Sequence, residues 1–219
     1  MLGELTIKRA VRPKSDDADS MRANGVSERP IANPYLDEFR GLFGKDNPDF
    51  AEVASLYPDR HRRRNDLCAK YAWAIPNEAA LREIARHGPI IEIGAGGGYW
   101  ARLLRQMGVA ILPFDNRSSH QEVSAKQWVS VKRGDDRQAA LHSDHSLFLC
   151  WPPYDTDMAE RAIRQYCGST VLYVGEKYGC TGTEACEDLL CEEWGEVAAV
   201  TIPQWPAIHD CLRTFTRKP

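Results

Sequence analysis

The sequence predicts an α/β fold in which helices cover both faces of a mostly parallel β-sheet. Strand-like and helix-like segments alternate from Gly88 onward, a pattern typical of βαβ units and therefore of parallel strands. The first strand-like segment, residues 90–93, is short and apolar, and it runs through a glycine-rich loop into a helix. The two observations together predict one parallel sheet over the last 130 or so residues.

Composition limits the class of protein. The chain has 219 residues, of which 43% are hydrophobic and 27% charged, so one domain with appendages and a sizeable core is expected. The net charge of -3 disfavours a general nucleic-acid binder. No apolar run is long enough to span a bilayer, and residues 1–5 lack the pattern of a secretory signal. We therefore expect a cytoplasmic protein without a membrane partner.

The cysteines support a reducing compartment. There are seven, an odd number, and none forms a C-x-x-C pair, so neither a disulfide framework nor a zinc site is predicted. His142, Asp144 and His145 form a short metal-like cluster. Because this cluster lies between a predicted helix and strand at the opposite edge of the sheet from the glycine loop, no metal is expected there.

Three segments are predicted along the chain. Residues 1–33 are rich in charge, Ser, Asn and Pro, which predicts a disordered tail. Residues 34–76 place aromatic and aliphatic side chains at helical spacing, including Tyr35 and Phe39, which predicts a helical extension or lid. Residues 77–219 form the main domain, beginning with a helix that closes near Gly88.

One basic run lies in the extension, at His61-Arg62-Arg63-Arg64-Asn65-Asp66. It is either the solvated face of a helix or a contact for phosphate or a partner.

The elements of the main domain follow in order. Strands are predicted at 90–94, 110–115, 128–132, 146–151 and 170–176, with helices starting near Gly98, Ser119, Arg137 and Thr156. A further helix follows residues 181–183 and runs to 193. Two more strand-like segments, 197–202 and 210–216, are separated by a Pro-Gln-Trp-Pro turn.

The glycine loop is the most informative motif. Gly94, Gly96 and Gly98 lack a Cβ atom, so the backbone can turn tightly and approach a ligand. The following helix, which begins around Tyr99 and Trp100, would direct its N-terminal amides at that ligand. The dinucleotide fingerprint G-x-G-x-x-G requires glycine at position 99, where this chain has tyrosine. What remains is E-x-G-x-G-x-G over residues 92–98.

This motif resembles the cofactor loop of class I S-adenosylmethionine (SAM)-dependent methyltransferases. The resemblance covers roughly residues 71–218. It implies a three-layer Rossmann-like methyltransferase fold, with a seven-stranded, mostly parallel sheet whose last strand is antiparallel and with an N-terminal helical extension. It also implies SAM as the cofactor and S-adenosylhomocysteine (SAH) as the product.

The resemblance further implies roles for residues at successive strand ends. Glu92 would support the methionine amino group of SAM, and Asp115, followed by Asn116, would hold the ribose hydroxyls. Asp135 is preferred to Asp136 near the adenine amine, although each of these aspartates also fits a turn or a helix cap. The implied cofactor set is Tyr71, Trp73, Glu92, Gly94, Ala95, Gly96, Gly98, Tyr99, Trp100, Asp115, Asn116, Asp135 and Cys150. Of these, Tyr71 and Trp73 either cover SAM or pack in the core.

The fourth strand exits into Trp151-Pro152-Pro153-Tyr154. The amine-methylating branch of the same family carries Asn or Asp, then Pro-Pro, then Tyr or Phe at this place. Trp151 replaces the amide or carboxylate, which disfavours methylation of adenine N6 or glutamine N5. An indole or phenol face beside a sulfonium would add cation–π stabilisation of about 1 kcal/mol. A rigid turn packed with aromatic rings is the alternative.

Polar groups that could orient the acceptor or remove its proton are expected where the strands end. The predicted catalytic set is Trp151, Pro152, Tyr154, Glu176 and His209, with Asp155, Asp157 and Asp210 as further candidates. Glu176 is preferred because the fifth strand delivers it to the cofactor edge, although a solvated strand-end glutamate fits equally well. His209 could act as a base, but a structural histidine in a turn is the favoured interpretation.

The predicted function is methyl transfer from SAM to N or O of a small molecule, with an amine or guanidine favoured. A methyltransferase of nucleic acids or protein side chains is the first alternative. A SAM-binding protein without catalytic activity is the second.

Overall fold

The computed structural model describes residues 30–56, 59–117 and 126–218. Most of the predicted tail, and the helix predicted near Ser119, lie outside these residues. Among the described residues no helix combines the length and apolarity needed to cross a bilayer. All seven cysteines are free thiols.

In the described part of the chain, seven strands form a single sheet in the order β3-β2-β1-β4-β5-β7-β6. The first five are mutually parallel, whereas β7 runs antiparallel to both β5 and β6. This confirms the predicted seven-stranded, mostly parallel sheet with an antiparallel last strand. The strands are β1 (Ile90–Ile93), β2 (Ile111–Asp115), β3 (Lys132–Arg133), β4 (Ser146–Cys150), β5 (Thr170–Gly175), β6 (Trp194–Thr201) and β7 (Cys211–Arg217).

Helices cover both faces of the sheet. Numbered within the described residues, they are α1 (Pro34–Phe43), α2 (Phe50–Leu56), α3 (Arg60–Lys70), α4 (Glu78–Ala85), α5 (Tyr99–Gln106), α6 (Met158–Gln165) and α7 (Glu184–Glu193). A 3₁₀ helix over Asp136–Leu141 replaces the α-helix predicted near Arg137. Side-chain caps from Asn33, Asn77 and Thr183 begin α1, α4 and α7, as expected for these residue types.

The third strand is shorter than predicted, because residues 128–131 do not join the sheet. The Trp128 backbone amide donates to the Gly97 carbonyl at 2.8 Å, and its indole Nε1 donates to the Lys70 carbonyl at 2.9 Å. These bonds direct the segment over the glycine loop, so only the two residues of β3 pair with β2.

The core has two layers, one on each face of the sheet. Alternate residues of a strand point to opposite faces: Phe148 of β4 packs with the helical extension and α5, whereas its neighbours Leu147 and Leu149 pack with α6 and α7. Tyr35 and Phe39 of α1 are fully buried in the first layer. The extension therefore shares the core of the main domain.

One ion pair lies inside the second layer. Arg213 Nη1 of β7 donates to Glu187 of α7 at 2.9 Å, and Nη2 contacts the second carboxylate oxygen. Both residues are buried, and the guanidinium lies 5.2 Å from the ring centroids of Tyr173 and Phe215. The pair links the α7 face to the antiparallel strands.

Candidate functional site

The site begins where β1 ends in the glycine loop. Gly96 has φ +53° and Gly98 has φ +74°, backbone conformations that L side chains rarely adopt. A Cβ atom added at Gly98 would lie 2.6 Å from Val129 Cγ2 and 2.9 Å from Val131 Cγ2. At Gly96 the same atom would meet no heavy atom within 4 Å. Gly98 is therefore required by packing, whereas Gly96 borders open space.

Asp115, at the end of β2, fixes the shape of this loop. Its carboxylate is buried and accepts the Gly96 backbone amide at 2.9 Å and the Arg117 amide at 2.6 Å. A carboxylate oxygen can accept more than one hydrogen bond, so ligand hydroxyls can still be bound. Asp115 thus joins the ends of β1 and β2 in addition to lining the site.

Glu92, in β1 two residues before the glycine loop, has a carboxylate oxygen without a hydrogen-bond partner. The residue is 1% exposed, and its Oε2 has no hydrogen-bond partner. Burial, followed by the negative charge of Asp115, raises the pKa of Glu92 to about 8. A buried, unpartnered carboxylate is costly, and a cationic ligand group would relieve that cost. This is the fit expected for the ammonium of SAM.

A cavity of about 170 Å³ lies at the carboxyl ends of β1, β2 and β4. Predicted residues among its lining are Gly94, Asp115, Asn116, Asp135, Trp151 and Pro152. The lining also includes residues outside the predicted catalytic and cofactor sets: Ile93, Gly134, Pro153, Thr156, Met158 and Arg161. The signal for the last three was their position at the start of the helix that follows the Pro-Pro-Tyr loop.

The two aspartates after β3 have different contacts. Asp135 caps the 3₁₀ helix by accepting the Arg137 amide at 3.1 Å, and it pairs with the Arg137 guanidinium at 2.6 Å; these bonds lower its pKa. Asp136 is buried and accepts Arg161 and Gln165 of α6. Asp135, the preferred residue, lines the cavity, while Asp136 anchors α6.

Three predicted cofactor residues place their side chains in the core. Tyr71, Tyr99 and Trp100 are 3%, 1% and 2% exposed. Tyr71 stacks on Tyr35 with ring centroids 4.9 Å apart, and Trp100 packs edge-on against Phe148 at 5.6 Å. Their side chains leave almost no surface exposed, and their contact with a cofactor stays a prediction. For Tyr71, the core-packing alternative describes the contacts.

Trp73 and Trp151 form what we call the aromatic platform. Their rings stack with centroids 5.6 Å apart and an angle of 12° between planes. The Arg64 guanidinium of α3 lies 5.2 Å from the Trp73 centroid and 5.3 Å from that of Trp151. Trp151 has φ +53°, an unusual conformation for a bulky residue that turns the chain sharply out of β4.

Asp210 supports the platform from the start of β7. Its Oδ2 accepts Trp151 Nε1 at 2.8 Å, while its buried Oδ1 has no partner. The residue is 2% exposed. Burial raises its pKa to about 6, and the charge of Glu176 adds to this, against the opposing effects of the Trp151 hydrogen bond and Arg64. The sequence indicates Asp210 only as a further candidate for orienting or deprotonating an acceptor; it does not reveal the contact with Trp151, which joins positions 59 residues apart.

Glu176 forms hydrogen bonds with two loops, the one after β5 and the one before β7. Its Oε2 accepts the Cys180 amide at 3.0 Å and the Cys180 thiol at 2.8 Å, and Oε1 accepts the His209 amide at 2.6 Å. Burial would raise the pKa of Glu176, but these hydrogen bonds outweigh burial and lower it. The His209 side chain is exposed. Their predicted roles toward an acceptor remain predictions.

The Pro-Pro-Tyr loop faces both the cavity and the loop after β5. The Pro152 carbonyl accepts the Gly182 amide at 2.9 Å, which joins the two loops. Tyr154 is 67% exposed and lines a second, more open cavity with Tyr178 and the start of α7. Cys150 is held at the end of β4, and burial keeps its pKa well above the usual thiol value.

The metal-like cluster lies at the other end of β4. His142, Asp144 and His145 bring their candidate ligand atoms within 4.8 Å of one another, and His145 Nδ1 lies 2.9 Å from Asp144 Oδ1. They precede β4, whereas the cavity follows it. The cluster is therefore separate from the candidate site.

Comparisons with known proteins gave structural matches only. No family model and no curated protein matches the chain. The N-methyltransferase NodS from Bradyrhizobium japonicum WM9 is 15% identical with a TM-score of 0.45, covering 73% of this chain and 97% of its own. Magnesium protoporphyrin IX methyltransferase (ChlM) from Synechocystis PCC 6803 is 14% identical with a TM-score of 0.44, covering 95% and 100%.

A third match is 1,6-didemethyltoxoflavin-N1-methyltransferase from Burkholderia thailandensis. It is 13% identical with a TM-score of 0.41, covering 89% of this chain and 94% of its own. The low identities and TM-scores transfer neither a ligand nor an activity to this chain.

Proposed function

We propose that this protein is a SAM-dependent methyltransferase that acts on N or O of a small molecule. The observation that carries the proposal is the junction of β1 with its loop. There the unpartnered Oε2 of Glu92 lies two residues before the loop, in which Gly96 borders open space. A ligand with a cationic group would pair with the Glu92 carboxylate, and the part of it that lies against the backbone would fill the open space at Gly96.

Four residues would hold the cofactor. Glu92 would bind the ammonium of SAM, and Asp115 would bind the ribose while keeping its bond to the Gly96 amide at 2.9 Å. Asn116 and Asp135, which line the same cavity, would lie on the adenine side. When bound, SAM would supply an electrophilic methyl group.

The chain's own contribution would be positioning and exclusion of water. Trp151, Pro152 and Pro153 wall the cavity on the β4 side. Because the Pro152 carbonyl accepts a hydrogen bond from the Gly182 amide, this wall is held in place by the loop after β5. The Trp151 ring would present an aromatic face to a sulfonium. Free thiols at all seven cysteines support a reducing, cytoplasmic location.

The nucleic-acid alternative has less support in the described structure. Two of the three arginines in the basic run are paired within α3 or at its start: Arg62 lies 4.0 Å from Asp66 and Arg63 lies 3.0 Å from Asp59. Such pairing reduces the free positive charge available to a phosphate backbone. A small-molecule acceptor is therefore the better-supported class.

Calorimetric titration with SAH tests the proposal. Asp115→Asn keeps one acceptor oxygen but removes the charge that holds the Gly96 amide, so we expect about tenfold weaker SAH binding. Glu176→Gln, in which the altered group ties loops outside the cavity lining, should bind SAH as the wild type does. Equal affinities in the wild type and Asp115→Asn would contradict the assignment. So would a melting temperature that rises with NAD but not with SAH.

A further inference from the structure

The basic run of α3 is not uniform in the structure. Arg62 and Arg63 form ion pairs at the surface with acidic residues on or beside their own helix. Arg64 has no ion pair among the residues that the structure describes, and its buried Nε has no hydrogen-bond partner. It is directed to the aromatic platform instead. Arg64 therefore differs from Arg62 and Arg63 in its surroundings: it contacts aromatic rings instead of a carboxylate.

The aromatic platform has surface left for a ligand. Trp73 is 37% exposed, and Trp151 lines the cavity beside the proposed cofactor residues. Two stacked indoles at an opening offer flat apolar area at low entropic cost. A planar ring is the ligand shape that this surface accommodates best.

The charges near the platform indicate which charged group the ligand carries. Arg64 brings a permanent positive charge to the ring faces. The carboxylates coupled to this region are Asp210, whose Oδ2 is bonded to Trp151 Nε1, and Glu176, whose two oxygens accept loop donors. Both are 9% exposed or less. Beside the platform rings the accessible charge is therefore that of Arg64, which disfavours a cationic alkylamine or guanidine and favours an acidic group.

We infer that the aromatic platform is the acceptor subsite, and that the acceptor is a planar aromatic molecule with an acidic group that pairs with Arg64. The inference rests on the proposed function and names its substrate class. Asp210 acts as a positioning residue, because its hydrogen bond fixes the Trp151 indole. Arg64 and Trp73 belong to the extension, so this segment contributes directly to the acceptor subsite.

A matched pair of probes tests the inference. 2-Aminobenzoate and 2-aminobenzamide share a ring and an amine, but only the first carries a negative charge. Binding to the SAH-loaded protein is measured by calorimetry and saturation-transfer NMR. We expect the wild type to prefer 2-aminobenzoate about fivefold, the scale of a partly exposed ion pair. Arg64→Gln should abolish that preference, and Trp73→Leu should weaken both probes.

Arg62→Gln is the matched control, since it removes an equal charge from the same helix. It should keep the preference. Equal binding of the two probes to the wild type would overturn the inference, as would no binding of either or an equal loss of preference in Arg62→Gln. SAH affinity separates the two proposals: if SAH binds and the preference is absent, only the acceptor subsite is refuted. If SAH does not bind, the proposed function itself fails.

Discussion

Replacing Gly96 by alanine separates ligand binding from folding. The residue has φ +53°, and an added methyl group would meet no protein atom within 4 Å. The cost to folding is therefore the left-handed backbone alone, about 1–2 kcal/mol for an L residue. For a protein of this size that corresponds to a loss of roughly 2–8 °C in melting temperature. The methyl group itself would occupy the space proposed for the cofactor.

Gly44 provides the control. It has φ +67° and the same empty surroundings, but it ends helix α1 and is not part of the loop after β1 that is proposed to contact the cofactor. Gly44→Ala should lose about as much stability as Gly96→Ala, since the backbone cost is the same. Only Gly96→Ala should weaken SAH binding, by at least about tenfold, because the ligand must shift to avoid the methyl group.

The assay is differential scanning fluorimetry without ligand, followed by calorimetric titration with SAH. Gly98→Ala extends the series, because its methyl group would lie 2.6 Å from Val129 Cγ2 and should lower the melting temperature more than the other two substitutions. Wild-type affinity for SAH in Gly96→Ala would refute the placement of the cofactor. Equal loss of affinity in Gly44→Ala would show that the effect comes from stability.

Three further predictions concern buried charges. Burial raises the pKa of Glu92 to about 8. SAH affinity should therefore rise from pH 6 to pH 8 as the carboxylate ionises, and calorimetry of Glu92→Gln should show no such rise. The pKa of Asp210 is raised to about 6, so its contribution to stability is present below pH 4 and lost as the pH rises through 6. Asp210→Asn should therefore gain up to about 3 kcal/mol relative to the wild type between pH 4 and pH 7; parallel stability profiles in denaturant titrations would contradict this. Glu187→Gln should lose about 3–5 kcal/mol, because Arg213 stays buried without a counter-charge, whereas Glu193→Gln at the surface should change the unfolding free energy by less than about 0.5 kcal/mol.

Local sequence pattern predicted most of the sheet. β1, β2, β4, β5 and β7 begin and end within a residue or two of their predicted bounds, because an apolar run bounded by glycine or polar residues specifies a buried strand. The predicted length of β3, residues 128–132, is greater than the observed length. Residues 128–131 have strand-like composition, but Trp128 bonds to Gly97 and Lys70, and these tertiary contacts outweigh β propensity.

Residue type and spacing also predicted which strand-end residues come together. Gly94, Asp115, Asn116, Asp135, Trp151 and Pro152 all line the cavity, since strand ends in a parallel sheet converge at one edge. Tyr99 and Trp100, also predicted beside the cofactor, pack their side chains in the core. The groups of this helix that we expect to face a ligand are its N-terminal backbone amides.

The amino-acid sequence alone determined the order of strands and helices and the position of the glycine loop, because both depend on local periodicity and on glycine's conformational freedom. Only the tertiary structure decided which polar groups act on one another. Asp210, in the segment just before β7, accepts a hydrogen bond from Trp151, and the Arg64 guanidinium lies beside two indole rings. Such contacts join residues far apart in the chain, and they form only when the sheet brings its strand ends and the extension together.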